Sequence, residues 1–269
     1  MRNLKEHKDM QNVLTAGNWN QPEDDFTEIF MLQNLRQFWL PEEISLSNDV
    51  LTWEYLTEKE KDTYEKNLAR LTLLDTIQGD VGMNRIARFV PTHHQKAVLS
   101  FMGAMENAVH ARSYSNIFLT LSPSSRINEL FRWVESSYFV QKNARIINEQ
   151  YEAIKGYDET LYKAMVASVA LESFLFYSGF YYPLYMAGQG KLIGSGEIIN
   201  LIIRDEAIHG VYVGLLSQEL LQTFDEETQK NLKQFVLDFF DRLLENEVKY
   251  TKELYEDLGL FDDVMNFVK

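Results

Sequence analysis

Apolar residues recur at three- and four-residue intervals along most of the chain, and no stretch shows the two-residue alternation of a half-buried strand. The pattern predicts a first helix over Asp24–Leu40, stopped by Pro41. A second begins at Thr57, a candidate N-cap with Glu60 three residues on, and runs to about Phe89, where Pro91-Thr92 breaks it. Further helices are expected over His93–Leu121, Arg126–Gln150, Glu159–Ala187, Gly196–Thr223 and Glu226 to about Leu258. Between them lie Ser122-Pro123-Ser124-Ser125, Gly156-Tyr157-Asp158, Gly188-Gln189-Gly190 and Gly194-Ser195-Gly196, all built from turn residues. The expectation is an all-α bundle forming one domain over residues 1–269, with a polar, loosely attached segment over 1–25.

Composition sharpens this picture. Gly and Pro number 13 and 5 among 269 residues, so helix breakers are scarce. Cysteine is absent, which removes disulfides, zinc–thiolate sites and thiol nucleophiles together. The net charge of −14 makes the chain a poor match for phosphate backbones, and no nucleic-acid partner is expected. Met1–Met10 is charged and polar, without the apolar core of a secretory signal, so a cytoplasmic location is expected. Between Ala164 and Gly190 the only charged residue is Glu172. The segment is long enough to span a bilayer. Its several tyrosines, Pro183 and the central carboxylate instead point to a helix buried on all sides, and no membrane is expected.

The chemistry lies in charged residues inside apolar helices. Asp75, Glu106, Glu172 and Glu206 each sit in an apolar run, where an unpartnered carboxylate is very costly. Asp75 and Glu106 are 106 − 75 = 31 residues apart, with the Pro91 break near their midpoint. Glu172 and Glu206 are 206 − 172 = 34 apart, centred on Gln189. Two antiparallel helices joined at each turn would bring both acids of a pair to one height, roughly 20–25 Å from the turn. The second helix of each pair adds a histidine, His110 or His209. The pattern is an internal repeat, in which an acid, a turn and an acid plus histidine occur twice. Four carboxylates and two imidazoles balance two divalent metals, and oxygen and nitrogen donors without thiolate suit Fe or Mn. This is the ligand scheme of ferritin-like di-iron and di-manganese carboxylate bundles. His7, in the polar segment, and His93-His94, at a helix start, are expected at the surface.

Five segments carry a resemblance: Phe38-Trp39-Leu40-Pro41-Glu42-Glu43, Leu73-Leu74-Asp75, Val109-His110-Ala111-Arg112-Ser113-Tyr114-Ser115, Leu171-Glu172-Ser173-Phe174-Leu175-Phe176-Tyr177 and Arg204-Asp205-Glu206-Ala207-Ile208-His209-Gly210. With these the chain resembles the small, radical-generating subunit of class I ribonucleotide reductase, most closely the class Ib form of Gram-positive bacteria. The resemblance implies one metal on Asp75, Glu106 and His110 and the other on Glu172, Glu206 and His209, with Glu106 and Glu206 bridging. It implies a stable radical on Tyr114, shielded by Phe176, Phe180 and Ile202, and a path to the large subunit through Trp39, Asp205 and His110. The implied cofactor is dinuclear Mn or Fe. The implied partners are the large subunit, which reduces ribonucleoside diphosphates to 2′-deoxyribonucleoside diphosphates, a flavodoxin-like activating protein, and a second copy in a homodimer. The family continues some tens of residues beyond the position of Lys269, through a helix and a tail that docks on the large subunit. Docking by residues 1–269 alone is therefore expected to be weak. Two alternatives remain at this stage: another ferritin-like dimetal oxidase, and a non-enzymatic scaffold with its acids in salt bridges.

One departure from the family pattern makes a structural prediction. The family usually carries Glu-x-x-His on both ligand helices, whereas here Glu106 and His110 are four apart. On a regular helix, at about 100° per residue, His110 would lie about +40° from Glu106 and His209 about −60° from Glu206. A single π-turn would absorb the extra residue and restore the placement. Such an irregularity is expected within about one turn of 103–112, with Glu106 facing the site and Asn107 pointing away.

Overall fold

A computed structural model describes residues 14–268. Among these the chain forms thirteen α-helices, with short 3-10 turns and no strand. They are α1 (Thr27–Arg36), α2 (Ser47–Trp53), α3 (Glu58–Ile77), α4 (Asn84–Phe89), α5 (His93–Ala104), α6 (Ala111–Leu121), α7 (Ser124–Ser136), α8 (Tyr138–Glu152), α9 (Glu159–Ala170), α10 (Phe176–Gly188), α11 (Ile193–Gln222), α12 (Glu226–Tyr255) and α13 (Phe261–Val268). Three pairs are continuous rods joined by a π-turn: α3 to α4 through Gln78–Met83, α5 to α6 through Met105–His110, and α9 to α10 through Leu171–Leu175. These rods and α11 surround the centre of the bundle, with α9 and α10 packed on α11, α10 on α3, and α8 and α13 on α12.

The helix starts follow local chemistry. Thr57 caps α3 in the expected capping box: its Oγ1 accepts from Glu60 N at 3.2 Å, and its own N–H donates to the Glu60 carboxylate at 2.7 Å. Thr92, Asp158 and Asp225 cap α5, α9 and α12. Helix α11 borrows its cap from α2. Asp49 accepts from Gly194 N at 2.9 Å and from Ser195 N at 2.7 Å. A Cβ on Gly194 would lie 2.6 Å from the Ser45 carbonyl, so this close approach requires glycine.

Several boundaries differ from the sequence reading. Helix α1 ends at Arg36 rather than Leu40, because Leu40 precedes Pro41 and is extended. The run expected over Arg126–Gln150 breaks at Ser137, where no Gly or Pro announces it; Gln141 donates to the freed Val134 carbonyl at 3.0 Å. Gly194-Ser195-Gly196 lies inside the first turns of α11 rather than in a loop. Helices α2 and α13 were not anticipated, being seven and eight residues long. Gly259, at φ 69°, supplies the left-handed turn that separates α13 from the preceding 3-10 turn.

The apolar run flagged as long enough for a membrane lies within Glu159–Gly188, and 72% of its most apolar window is buried by other helices. His7 lies outside the described residues. His93 is exposed, but His94, expected at the surface, is buried. Trp19 stacks on the His94 ring at 3.9 Å, and Glu23 accepts from His94 N at 2.8 Å. The described end of the segment expected to be loose is thus held against α5.

Candidate metal centre

Each rod delivers one acid or more to the middle of the bundle. Asp75 comes from α3, Glu106 and His110 from the π-turn Met105–His110, Glu172 from the π-turn Leu171–Leu175, and Glu206 and His209 from α11. All six side chains are 0% exposed. Asp75, Glu106, His110 and Glu206 each offer a donor atom within 4.8 Å of the others, and so do Glu106, Glu172, Glu206 and His209. Glu106 and Glu206 belong to both groups, as bridging acids would. The spacing argument from the two turns is therefore met in space.

The π-turn predicted around 103–112 is present. Asn107 points out of the site, donating to Asp80 Oδ1 at 2.9 Å, while Glu106 points in. The π-turns at Gln78–Met83 and Leu171–Leu175 were not anticipated. Three of the four rods around the site thus depart from α-geometry beside a candidate ligand, a placement π-turns often take. Only α11 runs unbroken through its acid and histidine.

His110 is oriented from behind. Its Nε2 lies 3.2 Å from Asp205 Oδ2, and its Nδ1 faces the acids, 3.1 Å from both Glu106 Oε2 and Glu206 Oε1. The same Asp205 oxygen accepts from Trp39 Nε1 at 2.7 Å. Trp39, Asp205 and His110 thus form one buried chain leading from the acids to the segment beside exposed Phe38 and Leu40. Tyr114 lies one turn beyond His110, fully buried, with no hydrogen-bond partner for its hydroxyl. Phe176, Phe180 and Ile202 are equally buried.

The electrostatics are those of a cluster short of positive charge. Among the described residues, the ion pairs of the four acids are with His110 and His209 alone, and no Lys or Arg joins them. A scaffold held by ordinary salt bridges is thereby set aside. Burial pushes the Asp75 carboxyl well above the usual carboxylate range, and the charges of Glu106 and Glu206 add to it. Burial does the same to Glu172, again aided by Glu206 and Glu106. Burial also works against ionised Glu106, yet the His110 and His209 rings hold its carboxyl low. Burial opposes protonation of His209, but Glu106 and Glu206 raise it to about 9. Burial and the Asp75 charge push the Tyr114 phenol well up, keeping it protonated. Both Asp75 oxygens and Glu172 Oε2 lack any hydrogen-bond partner. Buried oxygens are rarely left so. Two divalent cations would supply the missing partners, and the oxygen and nitrogen donor set fits them.

The model of the ribonucleotide reductase small chain matches residues 16–269. The chain belongs to that family. It is 59% identical to the ribonucleoside-diphosphate reductase subunit beta of Bacillus subtilis (strain 168) over 261 residues, 97% of this chain and 79% of that one. The crystal structure of the dimanganese(II)-NrdF of Streptococcus sanguinis superposes with a TM-score of 0.91 at 42% identity, over 95% of this chain and 88% of that one. An R2-like ligand-binding oxidase with a reconstituted Mn/Fe cofactor shares the fold alone: TM-score 0.75, 18% identity, 91% of this chain and 90% of that one. The ferritin-like bundle anticipated from the carboxylate pattern is the architecture of these small chains.

Sequence reasoning about the small chain missed Gln78, Tyr151 and Ser168, which reach Glu172 through hydrogen bonds. Gln78 had a legible signal, an amide three residues after Asp75 inside an apolar run. Tyr151 had none, because nothing along the chain ties it to a turn or an acid.

Proposed function

We propose that this chain, folded as one ferritin-like domain, is a class Ib radical-generating subunit. In this reading Asp75, Glu106 and His110 would hold one metal and Glu172, Glu206 and His209 the other, with Glu106 and Glu206 placed to bridge. The single observation that carries it is the pair of overlapping four-residue donor groups sharing those two glutamates. Dinuclear Mn or Fe held by these ligands would supply one-electron redox chemistry beside Tyr114, and the ligands suit either metal. The chain's own residues do the rest. Asp205 holds His110 with Nε2 outward and Nδ1 toward the acids that would hold the metals, the usual arrangement of a ligating histidine. Phe176, Phe180 and Ile202 keep water and reductants from Tyr114. Trp39, through Asp205 and His110, links the centre to the large subunit, which reduces ribonucleoside diphosphates. That division of labour accords with a chain lacking cysteine.

The reading includes a cytoplasmic location, activation of the manganese form by a flavodoxin-like protein, and a homodimer. Support for the homodimer comes from an apolar groove of about 640 Å³ between α1 and α5, lined by Trp19, Met31, Leu32, Leu35 and Phe101. On α1, Ile29, Leu32 and Leu35 are more than two-fifths exposed. Another dimetal oxidase is the weaker reading, because the Trp39–Asp205–His110 chain has no use in an enzyme that keeps its oxidant to itself. The deciding experiment is reconstitution with Mn or Fe followed by electron paramagnetic resonance. A tyrosyl signal is expected in the wild type and is expected to vanish in Tyr114→Phe, with metal content unchanged. The same signal persisting in that variant would place the radical elsewhere.

A further inference from the structure

Glu172 is restrained in a way that Asp75 is not. Gln78 Nε2 donates one proton to Glu172 Oε1 and the other to Ser168 Oγ, the latter at 2.8 Å. Tyr151 fixes the amide from its other end, its hydroxyl donating to Gln78 Oε1. All four side chains are fully buried. They converge from separate elements: Gln78 from the start of its π-turn, Tyr151 from α8, Ser168 from α9 and Glu172 from the next π-turn. Space for this arrangement comes from Gly82, where a Cβ would lie 2.7 Å from Gln78 Oε1 and 2.7 Å from the Tyr151 ring. The backbone irregularity, the glycine and the three hydrogen bonds all serve one amide.

The consequence is an asymmetric pair of terminal acids. Both oxygens of Asp75 are without hydrogen-bond partners, whereas Glu172 has one oxygen taken by Gln78 and only Oε2 free. Each carboxylate oxygen carries two lone pairs, so this bond does not bar Oε1 from a cation, but it holds the Glu172 carboxylate in one orientation, a restraint that Asp75 lacks. We propose that Gln78, locked by Tyr151 and Ser168, is a positioning residue that fixes the orientation of the Glu172 carboxylate and so sets the affinity of the metal on the Glu172–His209 side. The inference rests on the dimetal reading above.

The test is a titration of metal-free protein with Mn(II), following the resonance signal of the free aqueous ion. Wild-type chain is expected to take up two equivalents. In Gln78→Met one equivalent keeps its affinity and the other weakens roughly 10–100-fold, the usual range for loss of a partner behind a ligand. Tyr151→Phe weakens the same equivalent by less, because the amide remains but is free to turn. Glu172→Gln weakens that equivalent too, and adding Gln78→Met to it produces no further loss, since the two act through one group. Thermal unfolding of the metal-free variants separates positioning from mere packing. Two undiminished equivalents in Gln78→Met overturn the inference and leave the dimetal reading standing. So does a loss in Gln78→Met that adds in full to that of Glu172→Gln, or one that falls equally on both equivalents together with a lowered melting temperature of the metal-free chain. Fewer than two equivalents in the wild type overturn the dimetal reading itself, and this inference with it.

Discussion

At the scale of single residues, Asp205 does two jobs with one oxygen. It accepts from Trp39 Nε1 and faces His110 Nε2, so its charge fixes which imidazole nitrogen points at the acids. Asp205→Asn keeps the shape and removes the charge. We expect metal affinity on the His110 side to fall roughly 10–100-fold, measured by Mn(II) titration, with turnover alongside a large subunit reduced further because the path is interrupted. Unchanged affinity and turnover would show that the Trp39–Asp205–His110 chain is packing only. Asn107 illustrates the converse case: it neighbours Glu106 in sequence, yet the π-turn directs it to Asp80 on the far side.

At the scale of elements, the rod carrying Glu172 is held from outside the site. Arg70 on α3 donates to Glu247 Oε2 on α12 at 2.7 Å, to Ser178 Oγ at 2.7 Å and to the Leu175 carbonyl at 3.2 Å. Leu175 closes the π-turn Leu171–Leu175, so the guanidinium satisfies a carbonyl where the helix is irregular. Arg70 and Glu247 are both buried, and removing one partner strands the other's charge. Arg70→Met is expected to destabilise the fold by about 3–5 kcal/mol in denaturant unfolding, and the double replacement Arg70→Met, Glu247→Met to recover most of that loss. A single variant as stable as the wild type would mean the pair is not a structural tie. Helix α2 shows the same logic at a surface: seven residues long, it holds Asp49 where the much longer α11 lacks a cap of its own.

At the scale of the whole molecule, the bundle carries a cluster of buried acids with no Lys or Arg beside it, neutralised without metal only by protons on Asp75, Glu172 and the two histidines. Metal binding should therefore stabilise the fold strongly. Mn(II) at a hundred times its dissociation constant contributes about 2.7 kcal/mol per site. For a chain of this size we expect a rise in melting temperature of roughly 5–10 °C for the first site filled. Calorimetry with and without a chelator checks this, and equal melting temperatures would argue against a native metal site. The proposed second copy belongs to this scale too. Leu32, two-fifths exposed in the apolar groove, should sit inside the homodimer contact, so Leu32→Glu is expected to shift the sedimenting species from dimer to monomer with its metal content intact. A variant that stays dimeric would move the contact to another face.

What the sequence determined by itself was set by short-range physics and by symmetry along the chain. Helical period, the Thr57 cap and the scarcity of breakers are local, so the all-α class was legible. So were the six candidate ligands, because buried charge is costly wherever the helix lies, and two acids equidistant from a turn must meet if the rods run antiparallel. The extra residue between Glu106 and His110 even disclosed a π-turn, since an angular mismatch is counted along one helix. Tertiary structure decided what depends on neighbours distant in sequence. Ser137 breaks a helix without any breaker residue, His94 is buried by Trp19 from the segment expected to be loose, and Asp49 caps a helix that begins about 145 residues further on. Above all, Gln78, Tyr151 and Ser168 meet Glu172 only because α3, α8 and α9 pack side by side, bringing their polar groups within reach of one carboxylate. Such a meeting leaves no periodicity or spacing to read, because it is a property of the packed interior and not of any one helix.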